Sequence, residues 1–512
     1  MNKIDPELRY TLEAVRQFEG DGAAPQKAGS LGPMARNIAG QYRRDTLSPV
    51  MVMGMLRLSE FAVFALAGAW MYFYYVGTQT HLYWEYAVAI PAGSLSAVVL
   101  LEFAHAYHIG ALRAPWRFAG RIALVWSGTF ALMALAGFFM KNSAEFSRLW
   151  FAGWYLSGLL GVLTLRFVVS RLIRRWARNG TMERRAVIVG GGAAAESLIR
   201  SLERQPSNDI RICGIFDDRD DKRSPPIVAG YPKLGTVSEL LEFARIARID
   251  MLIVSLPISA EARVLSMLKR LWVLPVDIRL SAHSSALRFR PRAYSFIGSV
   301  PLLDIFDKPI NDWDSVAKRI FDIVFSVLGI VLFAPLMIAT AIAIKLDSKG
   351  PVLFRQKRHG FNNEVIEVLK FRSMYSEQCD PTAKQAVTRD DPRVTRVGRI
   401  IRKTSIDELP QFFNALFGSL SLVGPRPHAV AAQSHNLLYN EVVDGYFARH
   451  RVKPGVTGWA QINGWRGEVD TDEKIKMRTE YDLHYIENWS LWFDLKILLL
   501  TPVRLLKTES AY

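Results

Sequence analysis

Two carboxylates stand side by side in Thr404-Ser405-Ile406-Asp407-Glu408-Leu409-Pro410-Gln411, with cations spread before and after them in the chain. Pro410 favours a helix start nearby, and Ser405 with Glu408 has the spacing of an ordinary capping box. The same geometry would set both carboxylates by a helix N-terminus, where phosphate is attracted. Neighbours on a helix diverge by about 100°, so Asp407 and Glu408 cannot face each other as an acid–base pair. One can attack while the other holds a metal. Residues 365–372 read as a strand, which puts Lys370 and Arg372 on one face. Gly424-Pro425-Arg426-Pro427 makes a rigid turn presenting one guanidinium. Arg449, Arg451 and Lys453 lead into the turn-rich Lys453-Pro454-Gly455-Val456-Thr457-Gly458-Trp459. Convergence of Lys370, Arg372, Arg426, Arg451 and Lys453 on the dyad would clamp a diphosphate, and the expected chemistry is phosphoryl transfer. Such a reaction asks little of proton chemistry and needs no histidine triad. Two rivals stay open. Asp470-Thr471-Asp472 has the D-x-D form by which glycosyltransferases hold a metal, and a non-catalytic membrane scaffold would leave the dyad idle.

These residues need a frame. The chain has 512 residues, of which 50% are hydrophobic and 22% charged, which excludes a disordered protein. Two cysteines, Cys213 and Cys379, exclude a disulfide scaffold. A net charge of +16 suits nucleic acid, anionic lipid or phosphorylated small substrates, but no nucleic-acid-binding motif accompanies it. Four runs free of charge, at 61–80, 86–101, 122–140 and 149–165, reach with their flanks the roughly 20 residues that cross a hydrocarbon core. Met1 to Gln17 carries Asp5, Glu7 and Glu13 and no apolar run of its own, so no secretory signal is expected. Basic residues cluster at Arg36, Arg43 and Arg44, at Arg113, Arg117 and Arg121, and from Arg166 to Arg185, so both ends of the four-helix unit are expected on the cytoplasmic side.

From Arg185 the pattern turns to alternating strand and helix, a doubly wound parallel sheet in outline. Gly190, Gly192 and Ala195 match the G-x-G-x-x-A phosphate turn, with Asp217 and Asp218 where a ribose would sit. Small residues are also needed there merely to pack helix on strand. No tyrosine has a lysine four positions later, as a nucleotide-sugar dehydratase would need. A structural or regulatory domain is the expectation. Between Arg319 and Lys345 the only ionisable residue is Asp322. Lys318 and Arg319 before this segment, and Lys345, Lys349, Arg355, Lys357 and Arg358 after it, put both ends on the cytoplasmic side. Pro335 bends it after about 22 Å of helix, too short to cross, so a re-entrant helix over 318–345 is expected. The expected division is 1–48 cytoplasmic segment, 49–180 four transmembrane helices, 181–300 Rossmann-like domain and 301–512 mixed α/β catalytic domain.

The chain resembles the bacterial polyprenyl-phosphate sugar-1-phosphate transferases, the monotopic phosphoglycosyl transferases. Carrying the likeness are Lys318-Arg319-x-Phe321-Asp322, the proline-bent apolar segment, Lys370-Phe371-Arg372-Ser373-Met374, Asp407-Glu408-Leu409-Pro410-Gln411, the Pro-Arg-Pro turn and Lys453-Pro454-Gly455-x-Thr457-Gly458-Trp459, in that order. The four-helix start and Rossmann-like middle resemble the large form. Trp465-Arg466-Gly467-Glu468 and His428 look most like the undecaprenyl-phosphate glucose phosphotransferases of exopolysaccharide assembly. Ala334 departs from the serine the family often has there, which removes a hydroxyl that could serve the backbone freed by Pro335. The resemblance implies that Asp407 attacks the sugar-linked phosphorus of a UDP-sugar and releases UMP, and that undecaprenyl phosphate then takes the phosphosugar. It implies magnesium held near Asp407 and Glu408. The bacterial inner membrane with chemistry on the cytoplasmic face is the expected location, and a large form with a middle domain free of chemistry invites a homodimer. Glucose and galactose are not distinguished, since no sugar-reading residue stands out.

Overall fold

Runs of β-branched and apolar residues, punctuated by glycine, build the part of the chain that follows Arg184. A computed structural model describes residues 31–43, 48–77, 84–107, 112, 115–141, 145–178, 183–205, 210–220, 223–256, 261–281, 294–297, 300–376, 391–428, 433–434, 437–438, 446–465 and 471–507. Cys379, Arg466, Gly467, Glu468 and Asp470 lie outside the described residues. Residues 45–184 form one compact unit and the rest of the chain a second.

The first unit is helical: α2 (Pro49–Met71, continued by a π-turn Tyr72–Val76), α3 (Trp84–Phe103), α4 (Pro115–Phe139) and α5 (Arg148–Arg178). Indole groups knit it from within. Trp154 and Trp150, one turn apart on α5, donate to the carbonyls of Phe64 (2.8 Å) and Gly68 (3.0 Å) on α2. A Cβ at Gly68 would come within 2.9 Å of Trp154, so the glycine is the socket for that ring. Buried Glu60 and Arg166 pair at 2.5 Å, and Tyr107 donates to the same carboxylate at 2.6 Å. Leu66, Leu124, Leu132 and Leu160 face outward, as lipid contact requires.

In the second unit, α1 (Pro33–Gln41) buries Met34, Ala35, Ile38 and Ala39 against the α/β domain. That domain runs β1 (Arg184–Val189), α6 (Gly192–Glu203), β2 (Ile210–Phe216), β3 (Ile227–Val228), β4 (Tyr231–Gly235), α7 (Val237–Ile246), β5 (Met251–Val254), α8 (Glu261–Leu271), β6 (Asp277–Ser281), β7 (Tyr294–Ile297) and β8 (Val300–Phe306). Its eight strands lie in the order β3-β4-β2-β1-β5-β6-β8-β7. β1 with β5, β5 with β6, and β2 with β4 pair in parallel, while β8 is antiparallel to both β6 and β7. One face packs on α1, α7 and α8, the other on α6. Thr236 and Glu239 start α7 with a complete capping box.

Next comes α9 (Asp312–Asp347), a single element that runs through Pro335. At about 1.5 Å per residue it is some 54 Å long. Among the described residues five helices, α2 to α5 and α9, are long and apolar enough to cross a membrane. The molecule combines a membrane-type helical region with α/β domains. The last part carries β9 (Leu353–His359), β10 (Val365–Phe371), α10 (Arg396–Lys403), a 3-10 turn (Ile406–Glu408), α11 (Gln411–Phe417), β11 (Ser421–Val423), the short pair β12 (Gln433–Ser434) and β13 (Leu437–Leu438), a second 3-10 turn (Tyr446–Arg451), β14 (Gly455–Thr457), α12 (Trp459–Ile462), α13 (Asp472–Glu487) and α14 (Leu491–Lys507).

Candidate active site

Three chain segments meet at Glu408. The β9–β10 hairpin brings Lys370, the 3-10 turn brings the carboxylates, and the Pro-Arg-Pro turn brings Arg426. Lys370 Nζ donates to Glu408 Oε1 at 2.9 Å. Arg426 grips both oxygens of the same carboxylate, Nη2 to Oε1 at 2.6 Å and Nη1 to Oε2 at 3.2 Å. Among the described residues nothing hydrogen-bonds to the half-buried Asp407 carboxylate. Ser405 opens the turn in the left-handed region (φ 59°) with no side-chain capping bond, and Pro410 stands at the N-cap of α11. The expected capping box is therefore not formed. Its glutamate is bound to two cations instead.

Burial drives the pair apart. It pushes the Asp407 carboxyl up to about 6, against the pull of Lys370 and with a further push from Glu408. Burial would raise Glu408 too, but Arg426 and Lys370 overcome it and hold that carboxyl well below the usual range. Burial lowers Lys370, with Glu408 opposing.

Three of the expected cations bond elsewhere. Arg372 follows the end of β10 and donates to the carbonyls of Lys349 and Ser348 (2.8 Å for the latter), closing the C-terminus of α9. Arg451 donates to the Asp307 carbonyl at 2.8 Å, against the α/β domain. Lys453 reaches the Gly418 carbonyl at 2.8 Å, at the end of α11. Each answers a carbonyl left open where an element stops, a need more local than the charge of a distant dyad. The motif around Lys453 has another use. Gly455 N–H donates to the Pro425 carbonyl and Gly424 N–H to the Thr457 carbonyl, both at 2.9 Å. A Cβ on Gly455 would lie 2.1 Å from the Gly424 nitrogen, so only glycine permits this approach. β14 is the brace behind the turn that carries Arg426.

Arg358 is the cation that sequence reasoning left among the topological flanks. It bonds the Pro427 carbonyl, and burial, with the Arg426 charge beside it, lowers its guanidinium to about 10 despite Glu408 and Asp407. A signal existed: exposed Arg355 and Lys357 alternate with inward Phe354, Gln356 and Arg358, and Arg358 pairs in register with Ile366 on the face that carries Lys370. Arg402 adds positive potential at Asp407.

The glycine turn of the α/β domain is filled by its own chain. Gly190 (φ 97°) and Gly192 (φ 78°) take conformations that suit glycine, and Ala195 lies on the buried face of α6. Gly191 N–H donates to Asp217 at 2.7 Å, and Arg219 bonds the Gly191 carbonyl at 2.7 Å while pairing with the same aspartate. A carboxylate of the protein thus takes up one N–H of the turn. Thr471 of the D-x-D triplet caps α13 by accepting from Lys474 N–H at 3.3 Å.

Residues 313–508 match the model of the bacterial sugar transferases, and 102–282 match a domain described as CoA-binding. The UDP-glucose:undecaprenyl-phosphate glucose-1-phosphate transferase of Klebsiella pneumoniae is 39% identical over 391 residues, 76% of this chain and 81% of that protein. The chain belongs to the bacterial sugar transferase family. The transferase is accordingly an enzyme of the sugar-phosphate transferase class. It is 34% identical to the protein of the same name from Xanthomonas campestris over 435 residues, 83% of this chain and 88% of that one. Against the exopolysaccharide production protein PSS of Rhizobium leguminosarum it is 45% identical over 190 residues, 37% of this chain but 95% of the relative.

Proposed function

We propose that this transferase moves glucose-1-phosphate from UDP-glucose to undecaprenyl phosphate in two steps, through a phosphosugar carried on Asp407, as the first membrane step in building a polysaccharide repeat unit. An Asp407 oxygen attacks the sugar-bearing phosphorus, the bond to the bridging oxygen breaks, and UMP leaves. An oxygen of the lipid phosphate then attacks that phosphorus and frees Asp407. The observation that carries this reading is the contrast within the dyad: Glu408 holds two cations through three bonds, and Asp407 keeps an unengaged carboxylate beside it. In this reading Lys370 and Arg426, both bonded to Glu408, meet the diphosphate, and the Arg358 bond to the Pro427 carbonyl supports the Arg426 turn. Glucose is taken from the names of the relatives.

Among the described residues no three His, Cys, Asp or Glu side chains group to hold a metal unaided. Magnesium commonly takes one or two carboxylates and completes its shell with water and substrate phosphates, so Asp407 and Glu408 Oε2, which takes only the longer Arg426 bond, fit such an ion. Bound there, it would offset phosphate charge.

The membrane arrangement belongs to the same proposal. The chain leaves the α/β domain after α1, whose Tyr42 carbonyl accepts from Arg248 N–H (2.9 Å) and Arg185 (2.8 Å), and re-enters it at β1. Whatever crosses the membrane between those points crosses an even number of times, which supports four spans with both ends on the cytoplasmic face of the inner membrane. For α9 the support is that one face meets the catalytic domain along its length. Lys318 bonds Asp494 at 2.7 Å, Gly329 and Phe333 meet Phe412, and Ile344 packs with Phe371 and Ile401. The opposite face, with Val331, Leu332 and Leu346, is exposed and apolar. A helix docked at both ends on one domain enters and leaves on one side. A homodimer is part of the reading, supported by an α/β domain whose glycine turn is closed on itself; light scattering of the detergent-solubilised chain tests it.

The deciding experiment is incubation with labelled UDP-glucose and no lipid acceptor. Wild type holds label covalently and releases one UMP per site, and Asp407→Asn does neither. Release of UDP would instead support the D-x-D glycosyltransferase, and a folded Asn variant that still takes label would place the nucleophile elsewhere.

A further inference from the structure

Behind Arg426 lies a buried polar cluster that the two-step chemistry does not use. Arg449 and Asp482, each 1% exposed, pair at 2.5 Å. The same Arg449 nitrogen donates to the backbone carbonyl of Arg426 at 2.8 Å. Its other terminal nitrogen lies 2.6 Å from His428 Nδ1 and 3.3 Å from the Tyr446 hydroxyl. Burial, with Arg449 beside it, holds His428 well below its ordinary range, so the imidazole stays neutral and can accept from the guanidinium.

The reason for a charge pair here is in the turn. Pro425 and Pro427 have no N–H, so the segment presenting Arg426 cannot be fixed by its own donors on either side. It is fixed through carbonyls. Four in succession each accept a bond: Pro425 from Gly455 N–H (2.9 Å), Arg426 from Arg449 (2.8 Å), Pro427 from Arg358, and His428 from His359 N–H (3.2 Å). Only Arg449 and Arg358 do this with side chains, and only Arg449 is shut away from the dyad. A buried ion pair adds little net stability over apolar packing, but it fixes the direction of what it holds.

We propose that Asp482 and Arg449 are positioning residues for sugar-phosphate transfer, acting through the Arg426 backbone to hold its guanidinium on Glu408 and over the incoming diphosphate. This rests on Arg426 as a substrate-facing cation, and the test separates the two ideas. UMP release and thermal unfolding are measured for the full-length Arg426→Lys, Arg449→Lys and Asp482→Asn variants and for Arg426→Lys combined with Arg449→Lys. Misplacement by 1 Å costs up to about a hundredfold in rate, so Arg449→Lys should lower kcat roughly 10- to 100-fold and raise KM for UDP-glucose by a smaller factor. In the Arg426→Lys background the same change should cost little more. Asp482→Asn should follow Arg449→Lys. An equal factor in both backgrounds, or a folded Arg449→Lys enzyme with wild-type kcat, overturns the inference. An Arg426→Lys enzyme of full activity overturns the function assigned to Arg426 instead. If neither buried variant folds, Tyr446→Phe removes one hydroxyl beside Arg449 and carries the same cycle: a kcat loss confined to the Arg426 background supports positioning, and equal or absent losses refute it.

Discussion

Asp407 and Glu408 are adjacent in the chain, yet one carboxyl is pushed up to about 6 and the other held well below the usual range. Environments that separate a pair in this way assign them different tasks. Attack on phosphorus needs the ionised form, so the labelling step should rise with pH through about 6 and level off above it. Single-turnover labelling from about pH 5 to about pH 8 reads this directly, and a flat profile would count against Asp407 as the attacking group. The stability sign is opposite. A carboxyl whose folded value lies above its ordinary one stabilises the fold below that ordinary value and loses this as pH rises through about 6. Asp407→Asn should therefore raise the unfolding temperature near neutrality, and less so in acid. Arg372 makes the converse case. Its bonds go to Ser348 and Lys349, so Arg372→Ala should cost stability, about 1.5–3 kcal/mol for each such charged bond lost, and leave KM for the sugar nucleotide unchanged. Unfolding and steady-state kinetics on one preparation check both halves.

How α9 sits decides where the chemistry meets lipid. If it enters and leaves on one side, cysteines at exposed Ser315 and Lys349 should react with an impermeant maleimide from the same face of oriented vesicles. Labelling from opposite faces would make it a spanning helix. At this scale the sequence was legible wherever a pattern is local: the uncharged runs, the strand–glycine–helix alternation, the adjacent carboxylates and the proline-framed arginine. It was silent on direction. Nothing in the spacing of Arg372, Arg451 and Lys453 says that their partners are carbonyls of Ser348, Asp307 and Gly418, because those ends meet them only when the whole domain has closed. Arg358 was missed for another reason: it stood among the flanking charges, although the strand alternation turns it inward.

Across the molecule, every residue given a part in the proposed chemistry lies after β8, and a relative of which 95% aligns here matches only 37% of this chain. A chain beginning at Asn311 should stay membrane-bound and keep UMP release within an order of magnitude of the full enzyme. What it loses is peripheral to the dyad: Arg451 no longer reaches the Asp307 carbonyl, and Asn362 no longer donates to the Ala244 carbonyl (3.0 Å). A well-folded fragment without turnover would instead give the α/β domain a part in the reaction.

Lys318 lies buried between Asp322 and Asp494 and donates to the Val423 carbonyl at 3.0 Å, just ahead of the Arg426 turn. Its stronger partner stands 176 positions later. At roughly 5–20 residues per second, a ribosome needs some 9 to 35 s to make that partner after the lysine has been added. For that interval the apolar helix exists without the groups that seat it, and its ammonium without the closer counter-ion. The lysine is fully paired only after α14 has been made, and that one side chain then ties α9 to the strand leading into the Arg426 turn. A chain cut short of Asp494 would keep Lys370, Asp407, Glu408 and Arg426 and leave the buried lysine without its closer counter-ion.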